Sequence, residues 1–219
     1  SEGTIMTRKH LPVALLALLL AFIPVHSAVT RYAADVSHSN VGFSMPILGG
    51  LSHVRGKFNE FTVEIVHDDS DVTKSTVNAV IKAASIDTGH EGRDKHLRNA
   101  DFFDVEKFPE ITFRSSRIEK RGKNFIAHGT FTMHGVAKEI ALPFTINGVR
   151  KDEKTGKTQI GATARTTLNR KDFGINYSRA DNPTFLGDMV EIELNIITRA
   201  ASPEGATPAP PAAAPTPAQ

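Results

Sequence analysis

The 219-residue chain contains no cysteine, no tryptophan and thirteen phenylalanines, and its formal net charge is +2. Without cysteine there can be no disulfide framework, thiol nucleophile or thiolate metal site. A nearly neutral chain has no electrostatic footprint for nucleic acid, and many Phe without Trp suit either a purely apolar core or an apolar cavity.

Met6 is followed by Arg8-Lys9 and the run LPVALLALLLAFIPV over residues 11–25, after which small residues appear. This pattern predicts a leader over residues 1–27, with Met6 as the natural start and cleavage after Ser27, because the apolar run is short for a membrane span. An uncleaved anchor is the alternative. The expected mature protein is exported, with one domain over residues 28–199. Residues 200–219, rich in alternating Pro and Ala, are read as a disordered tail that cannot bury enough surface to fold.

Inside the domain, alternation dominates. A first strand begins near Thr30 and ends in a turn at residues 37–40, and Val41, Phe43 and Met45 then share one strand face. Pro46 and Gly49-Gly50 break that strand, and residues 51–54 are read as a helical turn. Over residues 57–66 the apolar parity shifts by one between Phe58 and Phe61, which predicts a bulge at Asn59-Glu60. Val77, Ala79 and Ile81 alternate in the next strand.

Residues 87–113 interrupt the strands. Thr88 and Glu91 have capping-box spacing, predicting a helix of about three turns with Arg93, Leu97 and Ala100 on one face and an Asp94–Arg98 pair. Phe102 and Phe103 end it, and Phe108-Pro109 forces extended backbone before a strand carrying Ile111 and Phe113. A Gly-containing turn at residues 120–123 leads to Ala127, Gly129, Phe131 and Met133 on one face. Ile140, Leu142, Phe144 and Ile146 alternate in the following strand. Ala162, Ala164 and Thr166 form a face of small residues after it, and Ile192, Leu194 and Ile196 mark the last strand. The total is an all-β fold with a short helical insertion, an antiparallel barrel of about eight strands.

The ordered runs DVSHSNVGFSM (35–45), GKFNEF (56–61), RDKHL (93–97), ADFFD (100–104), FPEITF (108–113), GTFTMHGVAK (129–138) and NRKDFGI (169–175) resemble the YceI-like family. The resemblance spans roughly residues 30–199. It implies a bacterial periplasmic, lipocalin-like barrel that binds polyisoprenoid or similar long-chain amphiphiles. From composition alone, a packed core and a ligand cavity remain equally open; the resemblance favours the cavity. Its expected apolar lining is Phe43, Met45, Val77, Ile81, Leu97, Phe102, Phe103, Phe113, Phe131, Met133, Ala162, Ala164, Phe173 and Ile175. Arg93, Asp94, His96, Arg170 and Asp172 are candidates either for holding a headgroup or for a structural polar network, and for Arg93 and Asp94 the structural reading is preferred.

No GxSxG, HExxH or phosphate-binding loop occurs, so no catalytic residue is named. His90, Glu91, Asp94 and His96 are metal-ligand types, but on a helix His90 and His96 are six apart and do not share a face, and His38, His128 and His134 read as turn or strand-surface residues. The expected function is binding, storage or transport of a polyprenyl or quinone-type lipid without other cofactor. The alternatives are an accessory protein of a membrane redox or envelope-stress system, with an inner-membrane redox protein as partner, and an uncharacterised hydrolase or isomerase. Oligomeric state stays open, a homodimer included.

Overall fold

The computed structural model describes residues 29–200 apart from residues 69 and 155. The expected leader lies outside the described residues, as does the expected tail beyond Ala200. Eleven strands form one antiparallel sheet that closes on itself. They are β1 (Val29–Ala34), β2 (Asn40–Ile47), β3 (Ser52–Phe58), β4 (Phe61–Asp68), β5 (Thr76–Lys82), β6 (Ile86–Asp87), β7 (Glu110–Arg121), β8 (Asn124–Met133), β9 (Val136–Lys151), β10 (Thr158–Asn169) and β11 (Met189–Ala200). Among the described residues a single α-helix, α1 (Glu91–Arg98), sits between β6 and β7.

Eleven strands amount to eight because the first three are broken in two. A 3-10 turn at Val36–His38 separates β1 from β2, Asn59-Glu60 separates β3 from β4, and a 3-10 turn at Ala83–Ser85 separates β5 from β6. The breaks are tied to one another. Asn59 N–H donates to Ser85 O at 3.1 Å, Lys82 N–H donates to Glu60 O at 2.9 Å, and Glu60 N–H donates to Ser85 Oγ at 3.0 Å. The parity shift between Phe58 and Phe61 thus falls where the sequence pattern places it, but as a break between β3 and β4 rather than a bulge, and the N–H groups of Asn59, Glu60 and Lys82 find partners there. The ring runs β1-β4-β5-β7-β8-β9-β10-β11 and closes by β1–β11 pairing, with β2, β3 and β6 continuing the wall from the other part of β11. At that level no strand among the described residues joins β6 to β7, and α1 with the turns after it occupies the gap.

Two bulges bend the wall. One extra residue, Ser116, stands between the Ser115 and Arg117 pairings of β7 with β8, and Asn147 is the extra residue where β9 meets Gly161 and Ala162 of β10. The freed Ser115 hydroxyl accepts from Val77 N–H at 2.8 Å, so the first bulge also stitches β7 to β5.

Several local expectations change. Residues 52–54 are strand rather than helical turn, and Pro46 lies within β2, because β3 pairs with β2 continuously from Ser52 to Phe58. The helix has eight residues rather than three turns, and Ala100 is exposed beyond its end. Its N-cap is His90, whose Nδ1 accepts from Arg93 N–H at 3.2 Å, because the Thr88 hydroxyl is already used in bonding to Asp94. Asp94 and Arg98 do not pair; Arg98 instead donates to Ala84 O and Ile86 O, both at 2.7 Å, which caps the exposed carbonyls of the β5–β6 break.

Gly129 is required by the first bulge. A Cβ there would be driven into the Arg114 carbonyl oxygen and would lie 2.7 Å from Ser115 Cα, both backbone atoms that cannot swing aside. Gly129→Ala is therefore expected to destabilise the fold by about 1–3 kcal/mol through overpacking, read as a lowered urea midpoint with unchanged slope.

Candidate functional site

The inward faces of the strands do not meet. The core divides into a larger cluster around Phe58, Ile86, Leu97, Phe102 and Ile111 and a smaller one of Phe113, Ile118 and Ala127. A cavity of about 240 Å³ is lined by residues of both. Its walls come from every strand except β1, from Val41, Phe43 and Met45 of β2 to Ile192, Leu194 and Ile196 of β11, and α1 and its following turn contribute Leu97, Phe102 and Phe103. Thr163, Thr166 and Arg170 are the only lining residues with polar side chains. Ile140, Leu142 and Phe144 point inward with the correct alternation yet are only half-buried, because what faces them is empty space. A smaller apolar cavity, of about 150 Å³, stays dry and accepts a benzene-sized ligand.

Of the apolar residues expected to line a cavity, all do so except Phe173. The 3-10 helix at Arg170–Phe173 turns that ring beneath the wall, 2 % exposed, edge-on to Phe131 with centroids 5.3 Å apart. The register sets Phe113 opposite Phe131 on adjacent strands, so these rings share one face. Sequence reading missed Val41, Phe58, Val63 and Ile86, although period-two alternation marks the first three. Ile86 carries no such signal, lying in a two-residue strand after a break.

The polar candidates have separate fates. Arg170 borders the cavity, but its side chain is 5 % exposed and fully engaged with the protein. Nε donates to Gly187 O at 2.9 Å, Nη1 to Ile175 O at 2.8 Å and Tyr177 O at 2.9 Å, and Nη2 to Asp188 Oδ1 at 3.0 Å. One guanidinium thereby organises the loop between β10 and β11. Arg93, Asp94, His96 and Asp172 do not line the cavity. Arg93 donates through Nε to the Thr88 hydroxyl at 2.7 Å and through Nη2 to Thr88 O at 2.9 Å, while the buried Asp94 carboxylate accepts from Thr88 N–H at 2.9 Å and from the Thr88 hydroxyl. Thr88 thus stands between the two charges. His96 bonds to Asp101 at 2.8 Å and meets the rings of Phe102 and Tyr177 edge-on at 5.0 and 4.9 Å, joining the helical segment to the β10–β11 loop. Asp172 pairs with Lys138 at 3.5 Å on the surface.

A YceI-like domain model matches residues 32–198. The chain belongs to the YceI-like family. A UPF0312 protein of Shewanella sp. (strain W3-18-1) is 34% identical over 171 residues, covering 77% of this chain and 88% of that protein. The crystal structure of Campylobacter jejuni YCEI protein superposes with a TM-score of 0.63 at 29% identity, covering 69% of this chain and 88% of that one. A domain from Saccharophagus degradans, described as polyisoprenoid binding and implicated in plant cell wall breakdown, has the same fold, with a TM-score of 0.57 at 13% identity over 78% of this chain and 99% of that one. The barrel with one short helix is thus the fold of this YceI-like chain.

Two expectations about these polar groups are open to measurement. Asp94→Ala removes the acceptor of the Thr88 amide and hydroxyl in a buried setting, and should destabilise by about 1–3 kcal/mol, visible as a lower melting temperature; unchanged melting with altered ligand content would move Asp94 into the binding site. The hydrogen bond from Lys171, helped by the Lys171 and Arg170 charges, holds the Asp188 carboxyl below its ordinary value near 3.8 against the opposing effect of desolvation. A lowered folded pKa contributes stability that is present above the unfolded value and lost as pH falls through the folded one. Asp188→Asn should therefore flatten the acid limb of the stability profile below about pH 4, as followed by circular dichroism.

Proposed function

We propose that this YceI-like barrel binds one long-chain isoprenoid lipid, of polyprenyl or quinone type, in its central cavity and stores or carries it in the periplasm after loss of residues 1–27. The observation that carries this reading is the cavity itself, about 240 Å³ in volume and bounded almost wholly by apolar side chains. A hydrocarbon chain needs no polar partner. Burying on the order of ten methylenes at ~0.8 kcal/mol each gives ample gross driving force. The Saccharophagus degradans neighbour, described as polyisoprenoid binding, supports the lipid class.

Binding rather than catalysis also fits the chemistry of the walls. Arg170 is the one titratable residue that borders the cavity, and its donors are spent on backbone carbonyls and Asp188. Among the described residues no group of three or more His, Asp or Glu is placed to hold a metal. Selectivity then rests on the length and girth of the chain rather than on polar readout.

Native mass spectrometry and lipid extraction of protein recovered from its own envelope test the proposal, and the intact mass of the same sample reads whether residues 1–27 are gone. The parent protein should carry about one lipid per chain. Ala164→Phe places a ring in the cavity and should cut co-purified lipid several-fold while the urea midpoint holds. In a filled core the same ring would overpack and cost about 1–3 kcal/mol. Lipid-free parent protein combined with a collapse of the Ala164→Phe variant would overturn the reading.

A further inference from the structure

Three of the five exposed large hydrophobic residues among those described gather at one rim of the barrel: Leu51 at 85%, Met189 at 50% and Leu48 at 46% exposure. A single exposed leucine is unremarkable, but a cluster on a projecting tip is not. Leu48 and Leu51 bracket Gly49-Gly50 in the turn between β2 and β3. Leu48 itself has φ 53, a left-handed backbone that residues with a Cβ avoid, followed by φ 67 and 90 at the two glycines. The tip is nonetheless held in place. Leu48 N–H donates to Phe185 O at 2.8 Å, and Leu51 N–H donates to Leu48 O at 3.3 Å. A Cβ built on either Gly49 or Gly50 would meet nothing within 4 Å, so the turn stands clear of the rest of the chain.

Behind the tip, the exposed residues of β3 are Ser52, His53, Arg55 and Lys57, the last three at alternate positions and hence on one face. The free edge of β3 from Ser52 to Gly56 has no strand partner among the described residues, since β6 pairs only with Lys57 and Phe58. The outward Arg55 on that free edge, with Lys57 beyond it opposite Asp87 of β6, disfavours pairing with a second copy of the strand, because antiparallel pairing sets like charges side by side. Apolar side chains projecting ahead of a row of cations instead match an anionic lipid surface, where leucines enter the acyl boundary and arginine and lysine meet the headgroups. This rim is also an end of the cavity. Met45 and Val190 line it, three residues before Leu48 and one after Met189.

We propose that the β2–β3 tip is a membrane-docking element: Leu48 and Leu51 insert into an anionic bilayer surface, Arg55 and Lys57 bind its headgroups, and the adjoining end of the cavity is brought to the lipid. The inference extends the lipid-binding reading by supplying a site of exchange. It does not depend on which lipid the cavity holds.

The test is flotation of the purified full chain with vesicles of phosphatidylcholine alone or with about one third phosphatidylglycerol, at low and high salt. The parent should float with the anionic vesicles and lose binding at high salt. Leu48→Ser/Leu51→Ser and Arg55→Glu/Lys57→Glu should each weaken that partition at least about tenfold, with urea midpoints like the parent's, since all four side chains lie at the surface. Equal flotation of the leucine variant, or no flotation of the parent, would overturn the proposal. So would a dimer in sedimentation velocity that the leucine variant abolishes, since that would assign the tip to a second copy. Lipid per mole, measured on the same preparations, separates the two ideas: parent protein that carries lipid but ignores vesicles sinks the docking element alone, whereas lipid-free parent protein that floats, with an Ala164→Phe variant that collapses, sinks only the cavity reading.

Discussion

Closure of the barrel depends on β11. It pairs with β10 over nine residues, Gly161–Asn169 against Met189–Ile197, and on its other edge it holds both β2 and β1. Between those two partners the chain makes its 3-10 turn at Val36–His38, and the Ser39 hydroxyl fills the break by exchanging hydrogen bonds with Ile197 N–H at 3.0 Å and Ile197 O at 3.2 Å. If β11 paired with a single straight strand, the wall would continue its curvature and the interior would tighten. The aligned breaks in the first three strands instead splay the wall on one side, and the gap this leaves between β6 and β7 is where α1 docks. The helix is therefore a consequence of the breaks, and the space beneath it a consequence of both.

What holds this second layer in place is largely polar, and of these polar groups Arg170 borders the cavity. Arg170 ties the β10–β11 loop to itself through three backbone carbonyls and Asp188, while Thr88 joins Arg93 and Asp94 at the start of α1. A buried guanidinium left unpaired would be strongly destabilising; with its carbonyl partners it fixes loop geometry that no regular strand could provide. The two segments meet at His96, Phe102 and Tyr177, with Phe102 and Tyr177 centroids 4.8 Å apart. Phe102 belongs both to that contact and to the cavity lining, so the packing of the cover and the shape of the cavity are set by one ring.

The legibility of these features follows from their physics. Period-two alternation exposes inward faces directly, which is why Phe43, Met45, Phe113, Phe131, Met133, Ala162 and Ala164 were readable as wall residues. The parity shift between Phe58 and Phe61 likewise betrayed the break in that strand. The helix start departs from the sequence pattern because Thr88 and Glu91 satisfy a spacing rule that ignores competing partners: the Thr88 hydroxyl serves Asp94, and an imidazole takes over the cap. Phe173 escapes the pattern because alternation does not apply in a 3-10 turn, and in sequence Arg170 is indistinguishable from a ligand-binding arginine because its partners lie up to eighteen positions along the chain in an irregular loop. The strand character of residues 52–54 is hidden by Pro46 and the glycine pair, signals that end a strand in isolation; here Pro46 stays paired opposite His53, and the glycines form the hairpin turn.

The size of the cavity sets a further physical constraint. At roughly 24 cal/mol per Å³ of residual void, about 240 Å³ of empty apolar space corresponds to a penalty of about 6 kcal/mol relative to a filled interior. That is comparable with the whole net stability of an ordinary domain, in a chain with no disulfide to offset it. Evolution of a packed core would remove the penalty with ease, since Ala127, Ala162 and Ala164 leave space that larger side chains could fill. Small residues facing Phe113, Phe131 and Phe144 thus keep open a space that stability alone would close. An apolar chain occupying it restores the lost contacts on every wall at once, so the same feature that weakens the empty barrel ties its stability to its occupant by mass action.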